Sequence, residues 1–145
     1  MKQALSTGNR LDTMFRAFSD RTRLRILYLL LGGECCVGNL AEILGIEQPS
    51  ASRHLAYLRK AKLVTVRRAG LWCYYALAPA EEPFHQKLLE CLRCCFSEVP
   101  AIRADQERAR KVRSDGGCCP DEEKAPARKH KKSDKSQQTE PCCPG

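Results

Sequence analysis

Cys91, Cys94 and Cys95 fall within the stretch LECLRCCFSEV, three thiols at i, i+3 and i+4 of a segment patterned as a helix. On a helix this spacing sets the three Cβ atoms within an arc of about 100°, neighbours being ~5–6 Å apart, so the thiols can face one ion. Thiolates are soft ligands. A sulfur-only set disfavours magnesium, calcium and manganese, and three thiolates suit pyramidal As(III) or Sb(III) better than zinc, which takes four ligands in closed sites. A further pair, Cys118 and Cys119 in GGCCP, follows a glycine-containing lead and is read as a source of co-ligands. Along one straight helix Arg113 would lie ~27 Å from Cys95, and five extended residues recover at most ~17 Å. Pro100 relieves this restriction, because the residue before a proline leaves helical geometry and residues 102–113 can fold back. A partner subunit presenting its cysteines is the other route. Cys142 and Cys143 receive no assignment. Cys73 reads as a small buried hydrophobe within a strand.

A second set of residues has the chemistry of a nucleic-acid-reading face. Ala51, Leu55 and Leu58 lie at i, i+4 and i+7 and should face a core, which leaves Ser50, Arg53, His54 and Tyr57 on the opposite side. Serine and arginine reach phosphates and base edges in the major groove, and arginine suits bidentate contact with guanine. Shortly after this helix, VTVRRAGLWCYYAL contains two β-rich runs, Val64 to Arg67 and Leu71 to Leu77, joined around Ala69 and Gly70. Arg67 and Arg68 near the tip of that hairpin are placed to ride on phosphates or enter the minor groove. Trp72 and Tyr75 are read as strand packing.

The elements that must hold these residues are mostly helical. Leu11, Phe15 and Phe18 mark one apolar stripe, and Leu24, Leu27, Tyr28 and Leu31 mark another, with Ser19 or Asp20 as the cap between them. Gly32 and Gly33 end the second helix, Gly45 stops a short third helix over Val37–Leu44, and Pro49 fits the first turn of a fourth that runs to about Ala61. A short helix, a tight turn and a longer helix outline a helix-turn-helix; with the hairpin it becomes a winged helix.

Length and composition bound what surrounds this unit. The 145 residues carry a formal charge of +8, and residues 1–102 alone hold 14 Lys and Arg against 9 Asp and Glu, a balance that suits a polyanionic partner. The first residues lack an apolar leader, and the run Leu24 to Leu31 is interrupted by Arg25 and far shorter than the ~20 residues of a membrane span, so a soluble, cytoplasmic protein is expected. In such a reducing compartment ten cysteines suggest metal-binding, redox or buried roles rather than disulfides. After about Ala101 the chain becomes charged and then rich in Lys, Ser, Pro and Gly. Residues 1–113 are therefore expected to form the folded domain and 114–145 a flexible, cysteine-containing tail.

Glu34 to Leu77 closely resembles the ArsR/SmtB metalloregulatory repressors, whose pattern includes C-V-x-x-L, Q-P-x-x-S-x-H-L-x-x-L and a wing followed by Y-Y-x-L. The likeness extends more loosely back through FRAFSDRTRLRIL, and together it spans roughly two thirds of the chain. The resemblance implies a homodimer joined through its terminal helices that binds double-stranded operator DNA and leaves it when a metal or metalloid binds. By position it makes Gln48, Ser50, Ser52, Arg53 and His54 the DNA-reading set. The arsenic-sensing pattern C-V-C-D-L is here CVGNL, which keeps Cys36 but offers Gly38 and Asn39 next. Cys35 and Cys36 are thus read as structural. His85 lacks the Asp and His companions of the family's zinc-type site, which is not transferred. The expected function is an As(III)- or Sb(III)-responsive repressor with no catalytic cofactor, sensing through Cys91, Cys94, Cys95, Cys118 and Cys119.

Two other readings share these residues. Cys91-Leu-Arg-Cys94 is formally C-x-x-C, so a thiol-redox sensor on the same scaffold fits it. A thiol enzyme such as an arsenate reductase is disfavoured, because no cysteine falls in a strand-to-helix anion loop.

Overall fold

Asp20 separates the first two helices. Its extended backbone (φ −106°, ψ 128°) stops the helix before it, and its carboxylate accepts the Arg23 N–H at 2.9 Å to start the next. The computed structural model describes residues 2–117, with side chains from residue 8 onward. In chain order it contains α1 (Lys2–Phe18), α2 (Arg21–Leu30), β1 (Cys35–Cys36), α3 (Val37–Leu44), α4 (Gln48–Lys60), β2 (Val64–Ala69), β3 (Trp72–Leu77), α5 (Pro83–Cys95) and α6 (Pro100–Ser114). This is the expected mostly helical, winged helix-turn-helix arrangement. Gly45 closes α3 in the left-handed conformation (φ 66°), which residues with a Cβ adopt only at a cost. Pro49 occupies the first turn of α4, where its missing N–H leaves no bond unmade. Among the described residues no helix is long and apolar enough to cross a membrane.

The wing pairs antiparallel from Val64 opposite Leu77 to Ala69 opposite Trp72, which leaves Gly70 and Leu71 as its loop. Gly70 has φ 58° while Leu71 stays at negative φ, the sign pattern of a type II′ hairpin. β1 was not among the expected elements. It adds a third strand, with Cys35 opposite Tyr75 and Cys36 opposite Tyr74, so that the sheet order is β1-β3-β2.

Ile26, Leu27, Leu40, Leu55, Leu58 and Leu63 are fully buried, and Leu92 and Leu44 close over them. Each such side chain contributes about 1.5–3 kcal/mol of transfer free energy when fully removed from water. The core face of α1 differs from the expected stripe. Met14 and Ala17 are fully buried, whereas Phe15 is 57 % exposed and lies against Phe84 with ring centroids 5.3 Å apart. Cys73 is half-buried rather than buried, because it shares the outer side of the hairpin with Arg68, its cross-strand partner. Trp72 packs beside Cys36 and Tyr74, and Tyr75 packs against the main core, as expected for strand residues.

The last helical region is broken, as Pro100 allows. Val99 is extended (φ −69°, ψ 123°), and α6 leaves in a new direction to pack on α2 and α3. Ile102, Ala109 and Val112 supply its apolar stripe, and Asp105 lies on the same side at 1 % exposure. Its carboxylate receives Arg25 through Nε at 2.6 Å and Nη2 at 2.7 Å, and Arg108 through Nη2 at 2.5 Å. The hydrogen bond to Asp105, ahead of the opposing cost of burial, raises the Arg25 pKa above its ordinary value.

Candidate nucleic-acid interface and thiol sites

The core contacts of α4 set which of its residues face outward. Ala51, Leu55 and Leu58 are fully buried, so Gln48, Ser52 and Arg53 are exposed and Ser50 is half-buried. Tyr57 is 38 % exposed and carries the Arg23 guanidinium 4.1 Å from its ring centroid. Arg23 in turn donates to the Ala17 and Arg16 carbonyls at 3.0 and 2.9 Å, which fixes α4 against the end of α1. His54 differs from the fully outward position expected for it. Its Nδ1 lies 3.7 Å from the Asp20 carboxylate, so the imidazole is half-buried between α4 and the start of α2.

The two wing arginines are not equivalent. Arg68 is exposed, whereas Arg67 donates to both Glu34 carboxylate oxygens, at 2.6 and 3.2 Å, and its guanidinium lies 4.5 Å from the Tyr74 ring centroid. Side chains alternate sides along a strand, which separates the two. Arg59 and Lys60 in the last turn of α4, and Lys62 just after it, add exposed positive charge next to the wing.

Cys91, Cys94 and Cys95 are exposed on the last turns of α5, while Leu92 between them is buried. Cys91 and Cys95 stand one turn apart on a common side, and Cys94 and Cys95 diverge by ~100° around the helix. Among the described residues no three His, Cys, Asp or Glu side chains come together around a point that would hold an ion. Cys118 and Cys119 lie outside the described residues. Gly117, just before them, sits at the first turn of α3: a Cβ there would meet the Asn39 Nδ2 at 2.7 Å. The fold-back of α6 therefore carries the chain to α3. α6 itself is about 22 Å long, at ~1.5 Å per residue, and Arg93 of α5 lines one pocket with Arg110 and Arg113 near its end.

Cys36 has a local structural task. It is 1 % exposed and is the N-cap of α3, its Sγ accepting the Asn39 N–H at 3.4 Å. His85 is fully buried on α5, and among the described residues neither ring nitrogen has a hydrogen-bond partner. Burial, followed by the nearby positive charge of Arg10, lowers its pKa below the ordinary value. Arg10 pairs with Glu82 at 2.8 Å, so α1 and the start of α5 meet around this imidazole.

Residues 20–66, which run from the cap of α2 into the start of β2, match the bacterial regulatory protein family arsR. Over 91 residues the chain is 41 % identical to the arsenical resistance operon repressor of Escherichia coli, covering 61 % of this chain and 78 % of that protein. The chain belongs to the arsR family. An arsenic resistance transcriptional regulator of Pseudomonas putida is 36 % identical over 110 residues, 73 % of this chain and 95 % of the relative. In three dimensions, the homodimeric winged helix-turn-helix DNA-binding domain from Mycobacterium bovis superposes with a TM-score of 0.56 at 27 % identity, covering 64 % of this chain and 83 % of that domain. This ArsR-family chain is thus a transcriptional repressor with a winged helix-turn-helix.

Proposed function

We propose that this ArsR-family repressor binds operator DNA as a homodimer and releases it when As(III) or Sb(III) is captured by its thiols. The observation that carries the inducer assignment is the grouping of Cys91, Cys94 and Cys95, all exposed, over the final turns of α5. Two relatives named for arsenic or arsenical resistance support the same reading. Cys118 and Cys119 complete the ligand set, supplied by the same chain or by the partner subunit. The exposed Phe15 of α1, with Phe84 of α5 against it, offers an apolar surface beside the first of the two terminal helices expected to join the dimer.

In this reading Gln48, Ser50, Ser52 and Arg53 contact base edges and phosphates in the major groove. His54 steadies α4 against Asp20, and Arg68, with Arg67 when it leaves Glu34, meets the backbone. Release requires only that the metalloid bind the DNA-free form more tightly. By linkage DNA then weakens metalloid binding by the same factor, commonly ~1–3 kcal/mol. Half-sites tolerate little change in the spacing of the two recognition helices.

Fluorescence anisotropy of labelled DNA from upstream of the protein's own gene tests the proposal. Under controlled reductant, arsenite should raise the dissociation constant at least tenfold. Unchanged affinity at saturating arsenite and antimonite would remove the metalloid assignment, and release by peroxide alone would replace it with redox sensing.

A further inference from the structure

The last four carbonyls of a helix have no partner within it, and in α3 they are divided between two sources. Gly45 N–H serves Ala41 and Glu42, and Ile46 N–H also reaches Ala41. The other two are met from outside the helix. Arg108 of α6 donates through Nε to the Ile43 carbonyl at 2.5 Å, and Arg25 of α2 donates through Nη2 to the Leu44 carbonyl at 3.2 Å. Both guanidinia are held by one acid, Asp105, which is 1 % exposed. Two cations at a helix C-terminus also meet the negative end of its dipole.

We infer that Asp105 is a positioning residue for DNA binding: through Arg25 and Arg108 it sets the end of α3, and hence the angle at which Gly45 passes the chain to α4. The turn between α3 and α4 is residues 45–47, so a displaced Leu44 carbonyl is felt within a few residues of Gln48. A core contact alone needs no charge here. An apolar residue at 105 would be buried as Ile102 and Ala109 are, but it would leave both guanidinia without their anchor. The placement of α6 adds a second consequence. Cys95 lies five residues before its first residue, Pro100, and Cys118 four residues beyond its last, Ser114. Thiol capture that shifts either end of α6 pulls on Asp105, so the clamp connects ligand to turn. This second consequence rests on the metalloid reading; the first rests only on the chain being a DNA-binding repressor.

The test uses full-length Asp105→Asn and Arg108→Met. Asp105→Asn keeps the shape but loses the two-point acceptor. Arg108 is exposed, and its removal leaves Asp105 paired with Arg25, so Arg108→Met retains the fold even where Asp105→Asn does not. Operator affinity should fall at least fivefold in Arg108→Met and further in Asp105→Asn. Amide hydrogen exchange should accelerate at residues 44–48 while α1 keeps its protection. In both variants arsenite should weaken the remaining DNA binding by a smaller factor than in the wild type. Wild-type affinity with wild-type exchange at 44–48 in folded Arg108→Met overturns the inference. So does acceleration spread evenly over all helices, which marks a general loss of stability. If arsenite does not release the wild-type protein, the metalloid proposal fails, and the affinity and exchange results still decide the role of Asp105.

Discussion

Arg67 and Glu34 form a two-point ion pair between β2 and the residue that precedes β1, with nitrogen–oxygen distances of 2.6 and 3.2 Å. Its consequence is that two arginines adjacent in sequence should answer differently to mutation. Arg68→Ala should flatten the dependence of log affinity on log salt by about 0.9, the loss of one phosphate contact. Arg67→Ala should change the slope less, because the charge it removes is already countered by Glu34. Glu34→Gln should do the reverse, freeing Arg67 and steepening the slope. Equal slopes for the two arginine variants across a salt titration would show that the ion pair opens completely on DNA.

The outward face of α4 yields a sharper test. Arg53→Ala should cost about 1–3 kcal/mol of operator binding and relax base preference at one position. Its melting temperature should stay at the wild-type value, since the side chain is exposed. His54→Ala should affect both properties, because His54 lies against Asp20, the N-cap of α2. Melting curves paired with competition against mismatched operators separate the two behaviours.

How far these arrangements could be read from sequence depends on the range of the interactions that make them. The bounds of α3 were legible to the residue because Gly45 punctuates it locally, and the buried side of α4 followed from the spacing of Ala51, Leu55 and Leu58. β1 was not legible, since a two-residue strand exists only through pairing with Tyr74 and Tyr75. Phe15 shows the limit of periodicity: its stripe was apolar, but the side that meets the core is set by Met14 and Ala17. Asp105 sits in a run dense in charge, RADQERARK, where one acid looks like solvated surface. Its burial is decided by Arg25, eighty residues away. Exposure of the α5 thiols is visible in the fold, but their ligand role rests on chemistry and on relatives.

His85 makes stability depend on pH in a predictable direction. The imidazole is fully buried, neither nitrogen is hydrogen-bonded among the described residues, and burial and Arg10 hold its folded pKa below 6.5. The unfolded chain therefore binds the proton more readily, and stability falls as pH drops below about 6.5 toward the folded value. His85→Leu should remove that part of the acid sensitivity and leave the rest. Melting temperatures between pH 7.5 and 5 check it: a parallel decline in wild type and variant would show that His85 contributes nothing to it.

The thiols separate the remaining alternatives. Cys91→Ser and Cys95→Ser should each give a repressor that binds its operator but is no longer released by arsenite. Serine nearly matches cysteine in size, while its hydroxyl stays protonated and is a hard, poor ligand for a thiophilic ion. Cys94→Ser should be milder if the ligands are Cys91, Cys95 and a tail cysteine, and equally severe if all three α5 thiols bind together. Cys36→Ser should remain inducible, because serine at that N-cap can accept the Asn39 N–H as Sγ does. Cys73→Ser should also remain inducible, since Cys73 lies in the wing sheet opposite Arg68. Release is measured with arsenite under reductant and, separately, with peroxide. If Cys36→Ser alone abolishes arsenite release while Cys91→Ser and Cys95→Ser respond normally, sensing belongs at the start of α3, beside the end of α6.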